Sequence, residues 1–319
     1  MRRSDFIFKY RIRNWSEYSK ALISRGSLTR WVDEQAVSAW RRRGGPQGRG
    51  RPQIYSDTAI ECALVVRAVF HLSLRATQGF LESVVRLMQV DLPVPAYSTV
   101  CRRQAGVEPR LQAAPERQPR HVVIDTTGLK VFGAGEWYVR KHGMGTGRRR
   151  TWRKLHLCVD EASKDIVAMD LTTSDVHDSA HLPAMLERVE GEVGQVSADK
   201  AYDSGSCYEA ILARGAVPTI PPRRNARFSS AKDPPAFRAE RDAVVRRIKD
   251  EGRYTWRTSS GATRQSLVEN AVSRFKALVG EGLASREFGR QQVEALVKSQ
   301  VLNRMTALGM PRSERISVG

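Results

Sequence analysis

The spacing of apolar positions changes along the chain, and the changes mark its parts. From Ser56 to about Gln104 apolar residues recur at steps of three and four, the period of helices with a buried face. SDTAIECALVVRAVFHLS opens on a Ser/Asp cap and predicts a first helix, and SLRATQGFLESVVRLMQV predicts a second. Beyond two prolines in DLPVPAY, YSTVCRRQAG predicts a short third helix from about Ser98, with Thr99, Arg102 and Arg103 toward its exposed side. Residues 105–120, rich in Pro, Arg and Ala, read as a linker.

The period then shortens to two. HVVIDTTGLKVF predicts a strand and GEWYVRKHG a second, and RKLHLCVDEASKDIVAMDLTT predicts two more around the turn DEASKD. After these, SAHLPAMLERVEGE reads as a helix opened by Ser179, VSAD as a short strand, GSCYEAILARG as a helix and VPTIPPRR as a strand edge. A highly charged stretch covers 225–261, and SLVENAVSRFKALVG and REFGRQQVEALVKSQVLNRMTALG predict the last helices. Strands in succession, then strands alternating with helices, describe an α/β fold with a mixed sheet. The expected parts are a basic arm and linker over 1–55, a helical domain over 56–104, the linker, a sheet domain over 121–310 and a tail over 311–319. Three helices ending in a basic one have the make-up of a helix-turn-helix DNA-binding module; a plain helical bundle is the alternative.

Charge narrows the partner. The chain of 319 residues carries a formal net charge of +19, with arginine clusters at Arg41–Arg43, Arg148–Arg150 and Arg223–Arg224. Such an excess points to a polyanion, nucleic acid first. The four cysteines are scattered with no CxxC or Cys/His cluster, which excludes a zinc ribbon and reads as buried thiols. No stretch has the length of a membrane span or the apolar core of a signal peptide, so a cytoplasmic, nucleoid-associated protein without a membrane partner is expected.

Against that basic background three acids stand out. Asp125 lies within the first strand of β-branched residues, Asp199 ends VSAD, and Glu269 sits early in a late helix. A buried carboxylate needs a metal, a partner or water. Three converging acids can hold Mg²⁺, a hard ion that takes carboxylate oxygens and keeps several waters. Two such ions can activate an oxygen nucleophile and stabilise the leaving oxygen of a phosphodiester. Glu269, Ser273 and Lys276 share one helix face, from which Lys276 can reach phosphates near the acids; by the helix pattern alone a solvated face with ordinary charge pairs is the stronger reading. Asp203 competes with Asp199 but reads as a cap for the following helix, and Asp160 and Asp165 as turn residues. His156 alternates with apolar neighbours and reads as a packed strand histidine. The Asp175, His177, Asp178 and His181 group reads as capping chemistry rather than a metal site, and Trp256 as a packing residue or a base-stacking one.

VIDTTGLKV, KLHLCVD, SADKAYDS and SLVENAVSRFKALVG, in that order, resemble the DDE transposases of bacterial insertion sequences, as do the opening NWSEYSKALISRGSLTRWVDE and the closing VLNRMTALGMP. Only 70 positions separate Asp199 from Glu269, which matches the group without a large insertion domain. The resemblance implies an RNase H-like catalytic domain, two Mg²⁺ (or Mn²⁺) ions, and cleavage and transfer of strands at terminal inverted repeats. It further implies double-stranded DNA as partner, both repeats and target, and a homodimer or higher oligomer on that DNA. By position it makes Asp125, Asp199 and Glu269 the catalytic, metal-holding triad. Lys276, Arg264, Lys200, Thr99, Arg102 and Arg103 become DNA-binding candidates. The family signature around the Glu also has a Tyr and an Arg, where this chain has Ala262 and Gln265, with Arg264 next door. The rival expectations are a metal-dependent nuclease without strand transfer, and a DNA-binding protein or inactive transposase copy.

Overall fold

A computed structural model describes residues 9–42, 52–113, 119–132, 152–229 and 234–316. A short strand, β1 (Lys9–Ile12), leads into α1 (Trp15–Arg25) and α2 (Glu34–Ser38). Residues 9–42 fall within the expected basic arm, yet they fold, because the segment has large apolar rings to bury. Trp31 and Trp40 are 2% and 1% exposed, and their indole N–H groups donate to the carbonyls of Arg25 (2.9 Å) and Pro93 (2.7 Å). Most of the Gly/Pro/Arg tract that follows lies outside the described residues.

The helical module forms as its periodicity predicts. Its helices are α3 (Asp57–Val69), α4 (Leu74–Leu87) and α5 (Tyr97–Arg103). The side chains of Ser56 and Ser73 cap the first two by accepting from the N–H groups of Ala59 and Ala76. Ile60, Ala63, Leu64 and Val66 of α3 are all fully buried or nearly so. Each large apolar side chain so buried contributes about 1.5–3 kcal/mol.

The sheet is built on β2 (Arg120–Val131). β3 (Trp152–Asp160) pairs antiparallel with it, and β4 (Ile166–Thr173) antiparallel with β3. The β3–β4 turn closes where the Asp160 carboxylate accepts from the N–H groups of Ala162 and Ser163, both at 2.8 Å. On the other side β5 (Val193–Ala198) and then β6 (Val217–Thr219) run parallel to β2. β7 (Gly282–Leu283) joins the far end of β2 at Lys130 and Val131. The order β4-β3-β2-β5-β6 makes a mixed sheet with helices on both faces, the expected α/β class. The expected strand GEWYVRKHG lies outside the described residues.

Side-chain alternation divides the core. Val122, Ile124 and Cys158 face α6 (Asp178–Glu187) and α7 (Gly205–Ala213). Before α6 the cap position is held by His177, not Ser179. The charged stretch 225–261, which has no apolar period of its own, contains α8 (Ala236–Glu251) and α9 (Arg253–Ser259). On the opposite face Val123, Leu129, Leu155 and Leu157 meet α10 (Gln265–Val279) and α11 (Phe288–Leu308). That cluster continues without a break into α3 and the two buried tryptophans. Polar contacts join the same parts: Gln104 Nε2 donates to Ser285 Oγ at 3.0 Å, and Gln300 Nε2 to Glu61 Oε1 at 2.6 Å. Helical module and sheet therefore share one core. The expected tail also folds in part, since β8 (Ser313–Ile316) pairs antiparallel with β1. Among the described residues, no helix is long and apolar enough to cross a membrane.

Candidate functional site

Strand register brings two of the acids together. Ile124 of β2 and Ala198 of β5 are partners in the parallel pairing. Asp125 and Asp199 are the next residue on each chain. Neighbouring strands lie about 4.8 Å apart, so the register sets the two aspartates side by side where β5 ends. The third acid comes from the helix laid over this edge. Gln265, the first residue of α10, donates Nε2 to the Ile124 carbonyl at 3.2 Å. Glu269 follows one turn later on the same helix face.

The electrostatics agree with this placement. Burial pushes the Asp125 carboxyl up to about 6, against a bond from the Thr126 N–H, and the charges of Asp199, Glu269 and Asp178 push it the same way. One carboxylate oxygen of each aspartate is held by local backbone. Asp125 Oδ1 accepts from the Thr126 N–H, and Asp199 Oδ1 from the Ala201 N–H, each at 2.8 Å. Among the described residues no ion pair reaches Asp125, and no three His, Cys, Asp or Glu side chains close into a metal cage. The acids share a neighbourhood of like charge with only oxygen donors. That chemistry fits a hard divalent cation, which would relieve the repulsion raising Asp125.

The remaining candidates divide. Lys276 is half-buried in the last turn of α10, Lys200 is exposed in the 3-10 turn after Asp199, and Arg102 is exposed on α5, where Thr99 is half-buried. Arg264 Nε pairs with Glu161 at 3.2 Å, beside the start of β2 rather than at its acidic edge. Arg103 is held by the Tyr55 carbonyl and the Asp57 carboxylate, so it ties α5 to the start of α3. Asp203 does not cap α7. Its carboxylate takes Arg241 Nε at 2.8 Å and the Arg223 N–H at 3.0 Å, a partnership 38 positions away that no local pattern announces. Trp256 is 1% exposed and packs, so it is not presented for base stacking. In the Asp175–His181 group, Asp178 accepts from Lys154 Nζ (2.9 Å) and His181 Nε2 lies 3.0 Å from Asp170. Three of the cysteines, Cys62, Cys158 and Cys207, are buried free thiols as expected, and Cys101 is half-buried. Sequence reasoning missed Tyr202 and Thr126, which meet at the acidic edge; their one signal is adjacency to the two aspartates.

Comparison with known proteins decides the family. A family model described as "Transposase DDE domain" matches residues 116–303, more than half of the chain, and a second of the same description matches residues 23–134. The chain belongs to the DDE transposases. The "Cryo-EM structure of piggyBac transposase synaptic complex with hairpin DNA" is a distant structural match, 12% identical with a TM-score of 0.40, covering 93% of this chain and 76% of that one. Family membership makes this transposase a phosphodiester-cleaving and strand-transferring enzyme, and enzymes of this family depend on divalent metal ions.

Proposed function

We propose that this transposase binds the terminal inverted repeats of an insertion sequence and cleaves and transfers their strands at the edge formed by Asp125, Asp199 and Glu269. The observation that carries this reading is the Ile124–Ala198 register, which sets two acids from remote segments next to each other beneath the helix bearing the third. In this reading the three carboxylates hold two divalent ions, Mg²⁺ or Mn²⁺, which supply an activated oxygen nucleophile and a stabilised leaving oxygen. Lys276, Lys200, Arg264, Arg102 and Thr99 hold DNA phosphates, and the net charge of +19 draws in the duplex. Two element ends must be joined together, so the working form on DNA is a homodimer or larger. Arg103 serves the same surface indirectly, by fixing α5 against Asp57.

The test uses pre-cleaved and intact repeat-end duplexes with Mg²⁺ or Mn²⁺. The full chain should cleave the intact end and join the 3′ hydroxyl of the pre-cleaved end to target DNA. Hydrolysis without joining would make it a nuclease. A second reading, DNA binding without chemistry, draws on Ala262 and Gln265 at the family's Tyr and Arg positions. It predicts repeat binding with no metal-dependent cleavage.

A further inference from the structure

The β2–β5 ladder ends at Ile124 and Ala198, one residue short of both aspartates. Beyond that point no backbone pairing sets their separation. A chain of side chains, buried at Tyr202 and His156 and half-buried at Thr126, continues where the ladder stops. Tyr202, 1% exposed, ends the 3-10 turn that Asp199 caps, and its hydroxyl lies 2.9 Å from Thr126 Oγ1. Thr126 Oγ1 is also 3.0 Å from His156 Nδ1, and His156 Nε2 is 2.8 Å from Thr172 Oγ1.

One set of proton directions, taken from the far end, satisfies every atom of this chain. Thr172 Oγ1 gives its hydrogen to the Thr173 carbonyl at 3.2 Å, so it accepts from His156 Nε2–H. His156 Nδ1 is then an acceptor and takes the Thr126 hydroxyl hydrogen. Thr126 Oγ1 has only lone pairs left for Tyr202, whose hydroxyl donates to it. Thr126 is the shared node. Its hydroxyl holds the turn of Asp199, and its N–H holds the Asp125 carboxylate at 2.8 Å.

We infer that Tyr202, Thr126 and His156 are positioning residues: a hydrogen-bonded brace that fixes the spacing of Asp125 and Asp199 for divalent-ion binding. The inference rests on the proposed role of the acids. It explains why a phenol and an imidazole are buried beside an anionic site. Their hydrogen bonds carry structure across the edge where the strand pairing stops, and partners of metal ligands typically govern affinity in this way.

The test measures Mn²⁺ affinity by electron paramagnetic resonance on the full chain, together with the kcat and KM of end cleavage. Tyr202→Phe removes one hydroxyl and leaves the ring packed. It should weaken Mn²⁺ binding about 10-fold and lower kcat, with KM for DNA and melting temperature near wild type. Thr126→Val should do the same, Thr126→Ser should restore wild-type affinity, and the Tyr202→Phe/Thr126→Val double variant should lose no more than either alone. Wild-type Mn²⁺ affinity in Tyr202→Phe overturns the brace, as does a fall in melting temperature without a fall in affinity. If Asp125→Asn also leaves Mn²⁺ affinity unchanged, the assignment of the acids fails first and the brace falls with it.

Discussion

Glu294 and Asp125 are both acids drawn toward the interior of a strongly basic chain, and their surroundings differ in kind. Glu294 is 7% exposed, but Lys298 Nζ stands 3.6 Å away and the N–H groups of Ala284 and Ser285 donate to its two oxygens at 2.9 and 2.8 Å. Burial alone would push its carboxyl up; Lys298, Arg67 and the Ala284 N–H outweigh it and hold the group below the usual carboxylate range. Asp203 with Arg241 and Asp160 with Arg120 are likewise buried acids that face a cation. Asp125 has one backbone N–H against its burial and three neighbouring like charges, and its carboxyl is pushed up instead, chiefly by the burial. The difference separates acids with a structural partner from the one proposed to do chemistry. With 53 Lys and Arg in the chain, an acid without a cation among the described residues is not short of candidates; the fold leaves its charge open for something that binds.

The sharpest way to break the comparison is by function. Asp125→Asn, Asp199→Asn or Glu269→Gln should each lower end cleavage by on the order of 10⁴-fold, because residues acting as one unit fail together. Binding of the same end duplex, read by fluorescence anisotropy, should stay near wild type. Glu294→Gln should cleave at a rate near wild type where the protein remains folded.

Stability should invert that order. Truncating Glu294 to Ala leaves Lys298 buried and unpaired, and should cost about 3–5 kcal/mol in denaturant unfolding. Asp125→Asn should instead stabilise the metal-free protein. A carboxyl whose folded pKa is raised to about 6 favours folding at acid pH, below its unfolded value. That contribution is lost as pH rises through about 6, and above it the charge is a burden. The gain from Asp125→Asn should thus be absent below pH 4 and reach about 1–2 kcal/mol at pH 7, allowing for solvent on its open side. A destabilised Asp125→Asn at pH 7 would remove the contrast with Glu294.

The smallest effects concern phosphate contacts. Arg102→Ala should reduce the salt dependence of duplex binding by about one unit of slope without changing melting temperature. Arg103→Ala should do the opposite, lowering melting temperature while the slope holds, because its guanidinium is engaged by Tyr55 and Asp57.

Much of this molecule is written in short stretches of its chain. Ser56 and Ser73 announce their helices because a cap is a contact across three residues. The alternation of β2 and β3, and the Asp160 turn, are equally local. The candidacy of the three acids was local too, each conspicuous within its own element. Other features had no local signature. Trp31 and Trp40 fold a segment that its charge marks as an arm, since burial of a ring depends on what lies above it. α8 and α9 form in a stretch without an apolar period, against partners elsewhere in the fold.

What the sequence by itself determined is where the helical module and the paired strands form and which acids are candidates for the chemistry, because propensity, capping and alternation act over a few positions. Tertiary structure alone decided that Ile124 pairs with Ala198, that Asp203 turns to Arg241, and that Tyr202 meets Thr126 across the edge. Register and long-range hydrogen bonds are fixed by the packing of the whole sheet, whose energy no single segment contains.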